Sequence, residues 1–277
     1  MKKLLLLGGL LFAIASPVYA GSPAPIWTGF YVGGNAGYGW AKASNDWNVF
    51  NQTTSLVTDC STSTHLGGGN AFCVNGNDSG SLRGVIGGLQ AGYNWQFGKI
   101  VTGAVTDFQF SGQQASNSFS AIFPINSDGG TFSAASTEKL SWLGTFRGKL
   151  GLTADRSLFY ATGGLAYGRV NVSGTATATV DLLVSSPPMP FGSWNRGTTK
   201  AGWTIGAGME QSIDRNWSLM VEYLYVDLGT VSTSFVTPGG NPGQFNNASM
   251  SLLPGTGTIS SRLTDNIVRF GINYKLN

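Results

Sequence analysis

The chain has 277 residues, of which only 10% are charged, with 41 glycines and a net charge of +3. Ordinary soluble domains carry about 25% charged residues and about 7% glycine. The mean hydropathy is +0.04, and no segment beyond the first twenty residues approaches the ~18 continuous apolar residues of a membrane helix. A helical membrane protein is therefore excluded, and so small a net charge gives no electrostatic footprint for nucleic acid. Low charge without a spanning helix fits a closed membrane barrel, where lipid-facing apolar side chains alternate with lumen-facing polar ones.

The chain starts with a basic Met1-Lys2-Lys3, an apolar run from Leu4 to Ala15 and a small-x-small site at Val18-Tyr19-Ala20. This order predicts a signal peptide over 1–20, cleaved after Ala20, because the apolar run is too short to span a bilayer. The remaining 21–277 form one domain, and loss of Lys2 and Lys3 lowers its net charge from +3 to +1. No cysteine follows the cleavage site, so no lipid anchor of the bacterial lipoprotein kind is indicated.

Side-chain alternation predicts strands over 27–40, 83–97, 100–111, 139–153, 157–170, 200–213, 217–228 and 263–276. The connections alternate as well. Those at 41–82, 112–138, 171–199 and 229–262 are long and rich in Ser, Thr, Gly and Asn, whereas 98–99, 154–156 and 214–216 are tight turns. The fold class expected is all-β: an eight-stranded antiparallel up-and-down transmembrane β-barrel with short periplasmic turns and four long extracellular loops. A secreted β-sandwich would alternate in the same way. The tryptophans argue for the barrel. On the lipid-facing parity, Trp40, Trp142 and Trp203 fall at outer strand ends and Trp95 and Trp217 at inner ends, as an interfacial aromatic girdle requires. A sandwich would place them in its core.

Four segments carry a family resemblance. Trp27-Thr28-Gly29-Phe30-Tyr31-Val32-Gly33-Gly34-Asn35-Ala36-Gly37-Tyr38-Gly39 resembles the first strand of the alphaproteobacterial outer-membrane β-barrel family, the rhizobial and brucella surface immunogens and "porin family" proteins. Leu158 to Gly168 resembles its fifth strand, Gly202 to Glu210 its sixth and Glu222 to Gly229 its seventh; the similarity continues through Val268 to Tyr274. The resemblance implies a small eight-stranded barrel in the outer membrane and no reaction. The chain departs from the family in having Val105 where members carry a lumen-side Glu, while keeping Asp107. It also ends Tyr274-Lys275-Leu276-Asn277, without the final aromatic that resembles a signal for the outer-membrane insertion machinery.

Opposite the lipid-facing parity lie Asp107, Arg147, Lys149, Glu210, Glu222, Arg269 and Lys275. Eight strands enclose only enough space for their own side chains, so these charges are expected to pair into a network that plugs the lumen. A narrow ion path is the sharper alternative. Arg147 and Arg269 are expected among Glu210, Glu222 and Asp107 in the lower half. Catalysis finds no support: no strand carries a histidine to act as base, and His65 lies alone in a long polar loop. Gly206-Ala207-Gly208 lacks the strand–turn–helix context of a dinucleotide loop. No cofactor and no metal are expected. Cys60 and Cys73 share the first long connection and, in an exported protein, are expected to form a disulfide; a metal pair would want closer spacing or more ligands.

These observations lead to an outer-membrane protein serving envelope integrity and surface display. Its expected partners are outer-membrane lipid, lipopolysaccharide and the insertion machinery, and it is expected as a monomer, with an oligomer as the alternative. A small porin-like diffusion channel, or loop-mediated ligand binding or adhesion, are the alternatives.

Overall fold

The computed structural model describes residues 27–51, 73–125, 128–181, 188–237, 244–245, 248–249 and 255–276. The expected signal peptide, His65 and Cys60 lie outside the described residues. The strands are β1 (Gly29–Asn51), β2 (Cys73–Phe97), β3 (Ile100–Ser111), β4 (Gln114–Ile125), β5 (Asp128–Ala154), β6 (Ser157–Asp181), β7 (Met189–Ser212), β8 (Trp217–Thr237), β9 (Gln244–Phe245), β10 (Ala248–Ser249) and β11 (Gly255–Lys275). All ladders are antiparallel, and β1 pairs with both β2 and β11, which closes the sheet on itself. β3 and β4 are two halves of one wall strand interrupted at Gly112–Gln113, so the ring has eight walls. At the short-turn end, Gly98 and Asp155 reverse the chain with φ of 60° and 51°, in the left-handed region that Gly and Asp tolerate best.

Around the lower ring, period-2 alternation sorts side chains between two walls. Phe30, Val32, Tyr38 and Trp40 of β1 face outward, as do Val85, Leu89 and Trp95 of β2 and Phe270, Ile272 and Tyr274 of β11. From Phe30 to Trp40 the strand has about the length that a tilted membrane strand needs. Trp40 and Trp203 stand exposed at one end of this band and Trp95 and Trp217 at the other. Trp142 is half-buried, with its ring 5.5 Å from that of Phe108 and 6.1 Å from that of Tyr167.

The strands do not stop at the aromatic band. The expected end of the first strand at 40 becomes Asn51, and much of 112–138, 171–199 and 229–262 is strand as well. Above Trp40 the inward parity turns apolar, with Ala41, Ala43, Trp47 and Val49 buried, while Lys42, Ser44 and Asp46 are exposed. Such stretches look like polar loops when apolar residues are expected on the outside.

Among the described residues the ring also opens at this end. β2 meets β4 in the ladder only at Arg83↔Gln114, and β7 pairs with β8 only from Trp203↔Asp227 down to Ser212↔Ser218. Two four-stranded sheets result, β8–β11–β1–β2 facing β4–β5–β6–β7. The space between them holds one apolar core that includes Trp47, Leu82, Phe132, Leu140, Val172, Trp194, Phe235 and Ile259. The rings of Trp194 and Phe235 stack across the β7/β8 seam at 4.9 Å. The sandwich that the girdle argument set aside is thus built on top of the barrel, with Trp47 and Trp194 in its core.

Candidate functional site

Inside the lower ring the charged side chains meet. Arg147 (β5) donates from Nη2 to Asp107 Oδ2 (β3) and from Nη1 to Glu222 Oε1 (β8), both at 2.8 Å. Arg269 (β11) donates from Nη2 to Asp107 Oδ2 at 2.9 Å and from Nε to Glu222 Oε2 at 2.8 Å. Two guanidiniums and two carboxylates from four wall strands therefore form a charge-balanced square, with no member more than 3% exposed. Thr145 and Thr162 accept from Nε and Nη1 of Arg147, each at 2.9 Å, and Thr145 in turn donates to Asp107 at 2.8 Å. Charge-assisted bonds of this length are among the strongest available to side chains. Their value here lies in compensating the cost of taking four charges out of water.

The backbone makes room for the square. A Cβ at Gly37, on the inward face of β1, would lie 2.2 Å from the Val268 carbonyl oxygen and 2.8 Å from the Arg269 Cα. Glycine at this position lets β1 and β11 close tightly beside Arg269.

Glu210 does not join the arginines. It accepts from Asn273 at 2.7 Å, from Ser218 and from Lys149 Nζ at 3.4 Å, forming a second layer nearer the short turns. Lys149 also lies over the rings of Tyr31 and Tyr160, 5.0 and 4.5 Å from their centroids. Lys275 is half-buried at the mouth, where it lines a cavity of only about 30 Å³ with Trp27, Tyr31 and Asn94. Trp27 packs into this mouth against Val101, Leu158 and Tyr160 and donates its backbone N–H to Gln96 Oε1 at 2.8 Å. Below the square, Asn35 donates to Gln90 at 3.0 Å and Gln90 to Asn273 at 2.6 Å; above it, Gln113 reaches across to both oxygens of Asp265 at 2.9 and 3.0 Å.

The seven charges read from the sequence are thus placed on the inner wall, in two layers and a mouth. Sequence reasoning missed the neutral groups that complete them, above all Thr145, Gln90, Asn273 and Gln113. Thr145, Gln90 and Asn273 carry the inward parity of their strands, so the same periodicity could have found them; Gln113 lies in the break between β3 and β4, inside the connection expected over 112–138. Cys73 opens β2 opposite Phe50 in the register; its partner in the expected disulfide, Cys60, lies outside the described residues. On the outer wall, a depression of about 620 Å³ runs past Val32, Gly34, Leu89 and Ala91 within the lipid-facing band.

A closed antiparallel ring with an apolar outer belt, aromatic borders and a polar, ion-paired interior defines a transmembrane β-barrel. The chain belongs to the family of outer membrane protein beta-barrel domains, which matches residues 5–253. It is 34% identical over 273 residues to the 31 kDa outer-membrane immunogenic protein of Brucella melitensis biotype 1, covering 95% of this chain and 90% of that one. It is 32% identical over 166 residues to the 22 kDa outer membrane protein of Rhizobium leguminosarum bv. viciae, covering 59% and 62%. Among solved structures it is similar to Neisserial surface protein A, with a TM-score of 0.31 and 14% identity over 90% of this chain and 98% of that one. The protein is located in the cell outer membrane.

Proposed function

We propose that the protein is a closed, non-conducting barrel that contributes to envelope integrity and displays surface-exposed segments on its two-sheet end. The supporting observation is the square of Arg147, Arg269, Asp107 and Glu222, which ties β3, β5, β8 and β11 together across the lumen. In this reading the short turns face the periplasm and the two sheets face outward, the usual orientation of such barrels. The lumen carboxylates serve as structural counter-ions, not as acids or bases. Its expected surroundings are outer-membrane lipid and lipopolysaccharide, reached after removal of residues 1–20 and insertion by the outer-membrane machinery. Names of relatives as immunogenic outer-membrane proteins agree with surface display.

Conductance of the purified protein in planar bilayers tests the reading. The expected record is a flat baseline without ohmic steps. Steps of the size produced by wide barrels of about sixteen strands would overturn it.

A further inference from the structure

The apolar core between the two sheets is interrupted by one polar layer. Glu138 of β5 is 1% exposed, and among the described residues it accepts one long hydrogen bond, 3.3 Å from Ser261 of β11 to Oε1. Among the described residues its Oε2 has no partner, nor has Ser136 Oγ, two residues away on the same inward face. Asn45 of β1, also 1% exposed, stands opposite Ser261 in one register and opposite Asp78 of β2 in the other. Its amide lies close enough to Glu138 to favour the charged carboxylate, but among the described residues neither amide atom reaches full hydrogen-bond geometry. Asn117 of β4 is paired in register with Ser136 and leans over Gly80, where a Cβ would lie 2.2 Å from Asn117 Oδ1. Its Nδ2 is likewise unpartnered.

This layer brings buried Glu138, Asn45, Ser136 and Ser261 together with half-buried Asp78 and Asn117, so that two carboxylates, two amides and two hydroxyls from five strands meet at one level. Among the described residues neither Glu138 nor Asp78 is in an ion pair. The contrast with the lumen below is sharp, since every carboxylate of the square has a guanidinium. Burial, reinforced by the like charge of Asp78, pushes the Glu138 carboxyl above its ordinary value. A buried carboxylate of this kind needs a counter-charge or a proton. The donor chemistry selects between cations: the groups are hard oxygens without sulfur or imidazole, the set that suits calcium better than zinc or copper. Two negative charges also match one divalent ion.

We propose that Glu138, Asp78, Asn45, Asn117, Ser136 and Ser261 form a calcium-class divalent-cation site that clamps the two sheets together. Entry runs through the β2/β4 seam, because half-buried Asp78 and Asn117 flank it where the ladder is absent. The site lies outside the lumen, so its fate is independent of whether the barrel conducts.

Trp47 provides a built-in reporter, since its Nε1 donates to Asp78 Oδ1 at 2.7 Å. The full chain, refolded in zwitterionic detergent and stripped with chelator, is titrated with Tb³⁺ while tryptophan is excited. The expected result is saturable sensitised luminescence that Ca²⁺ displaces, weakened at least about tenfold in Glu138→Gln and in Asp78→Asn, as the loss of one ligand charge implies. Ca²⁺ should also slow proteolysis of the two-sheet half in wild type and not in Glu138→Gln. Wild-type protein with no saturable, Ca²⁺-displaceable signal would overturn the proposal, whatever the variants do. So would a signal of equal strength in a folded Glu138→Gln, which would place the ion elsewhere.

Discussion

The two halves of this molecule use the same strands and the same alternation with opposite meaning. Below Trp40 the interior holds Arg147, Arg269, Asp107 and Glu222, and the exterior holds Phe30, Val32 and Phe270; above it, Trp47, Phe132 and Trp194 are inside while Lys42, Ser44 and Asp46 are outside. The surroundings decide which parity is apolar. In hydrocarbon the hydrophobic effect gives nothing for burying leucine inside the ring, and polar groups must go inward to find partners. In water the preference reverses and an ordinary core forms. The ring can also open only above the belt, because unpaired strand edges are tolerated in water and not in lipid.

The largest effect should come from breaking the polar interior. Arg147→Ala leaves Asp107 and Glu222 sharing one guanidinium in a site closed to water. Removing one partner of a buried pair costs on the order of 3–5 kcal/mol. The temperature at which the folded protein loses its fast gel migration should fall clearly, without a wide pore appearing. Unchanged melting would mean that water reaches the arginine.

Breaking the apolar interior should cost about as much locally yet register elsewhere. Trp47 is 2% exposed and packs on Phe119 at 5.8 Å and Trp194 at 5.6 Å. Trp47→Ala should cost about 3 kcal/mol by loss of contact and a residual cavity. We expect faster protease cleavage of the two-sheet half with fast gel migration retained, since the belt ladders are untouched. If both variants lose the gel shift together, the halves unfold as one unit and the comparison fails.

How much of this could be read from the chain follows from the same contrast. β3 has the bounds expected for it, 100–111, and the belt tryptophans lie at the expected ends, because in that region large apolar residues and outward parity coincide. The first strand was expected to end at Trp40, where the apolar residues pass from the even to the odd positions while the strand itself runs on. Ala41, Ala43, Trp47 and Val49 keep the period but lie on the other wall, and their outward neighbours have the composition of a loop. Inward charges were legible as a set. Their partners were not, because the stagger of strands decides that Glu210 meets Lys149 and Asn273 while Glu222 meets the arginines. The seams and the Glu138 layer depend on which ladders are left unmade, and alternation within one strand carries no trace of that.

A smaller perturbation tests the closeness of the lower ring. Gly37→Ala would set a methyl 2.2 Å from the Val268 carbonyl oxygen. Overpacking of a tight interior costs about 1–3 kcal/mol, so the gel-shift temperature should drop by less than in Arg147→Ala. At the break between β3 and β4, Gly112→Ala meets only ordinary contacts, at 3.6 and 3.7 Å, and should leave both assays unchanged. Equal losses in the two variants would show that the membrane ring is no more tightly packed than the break in its third wall.

The smallest effect belongs to a carboxylate that water already serves. Asp214 lies exposed in the last short turn and accepts from the backbone N–H groups of Trp217 and Asn216, both at 2.8 Å. These two bonds, Trp217 first, hold its carboxyl below the ordinary value. The sign follows directly. A group whose value is lower in the folded state binds fewer protons there than in the unfolded chain, so it adds stability above the unfolded value and loses it as pH falls through the folded one. The window therefore opens below about pH 4, the ordinary aspartate value. Melting of wild type and Asp214→Ala should differ slightly at pH 7, and the difference should shrink to nothing on acidification through that window. A difference that grows in acid would mean that the protonated side chain, not the carboxylate, holds the turn.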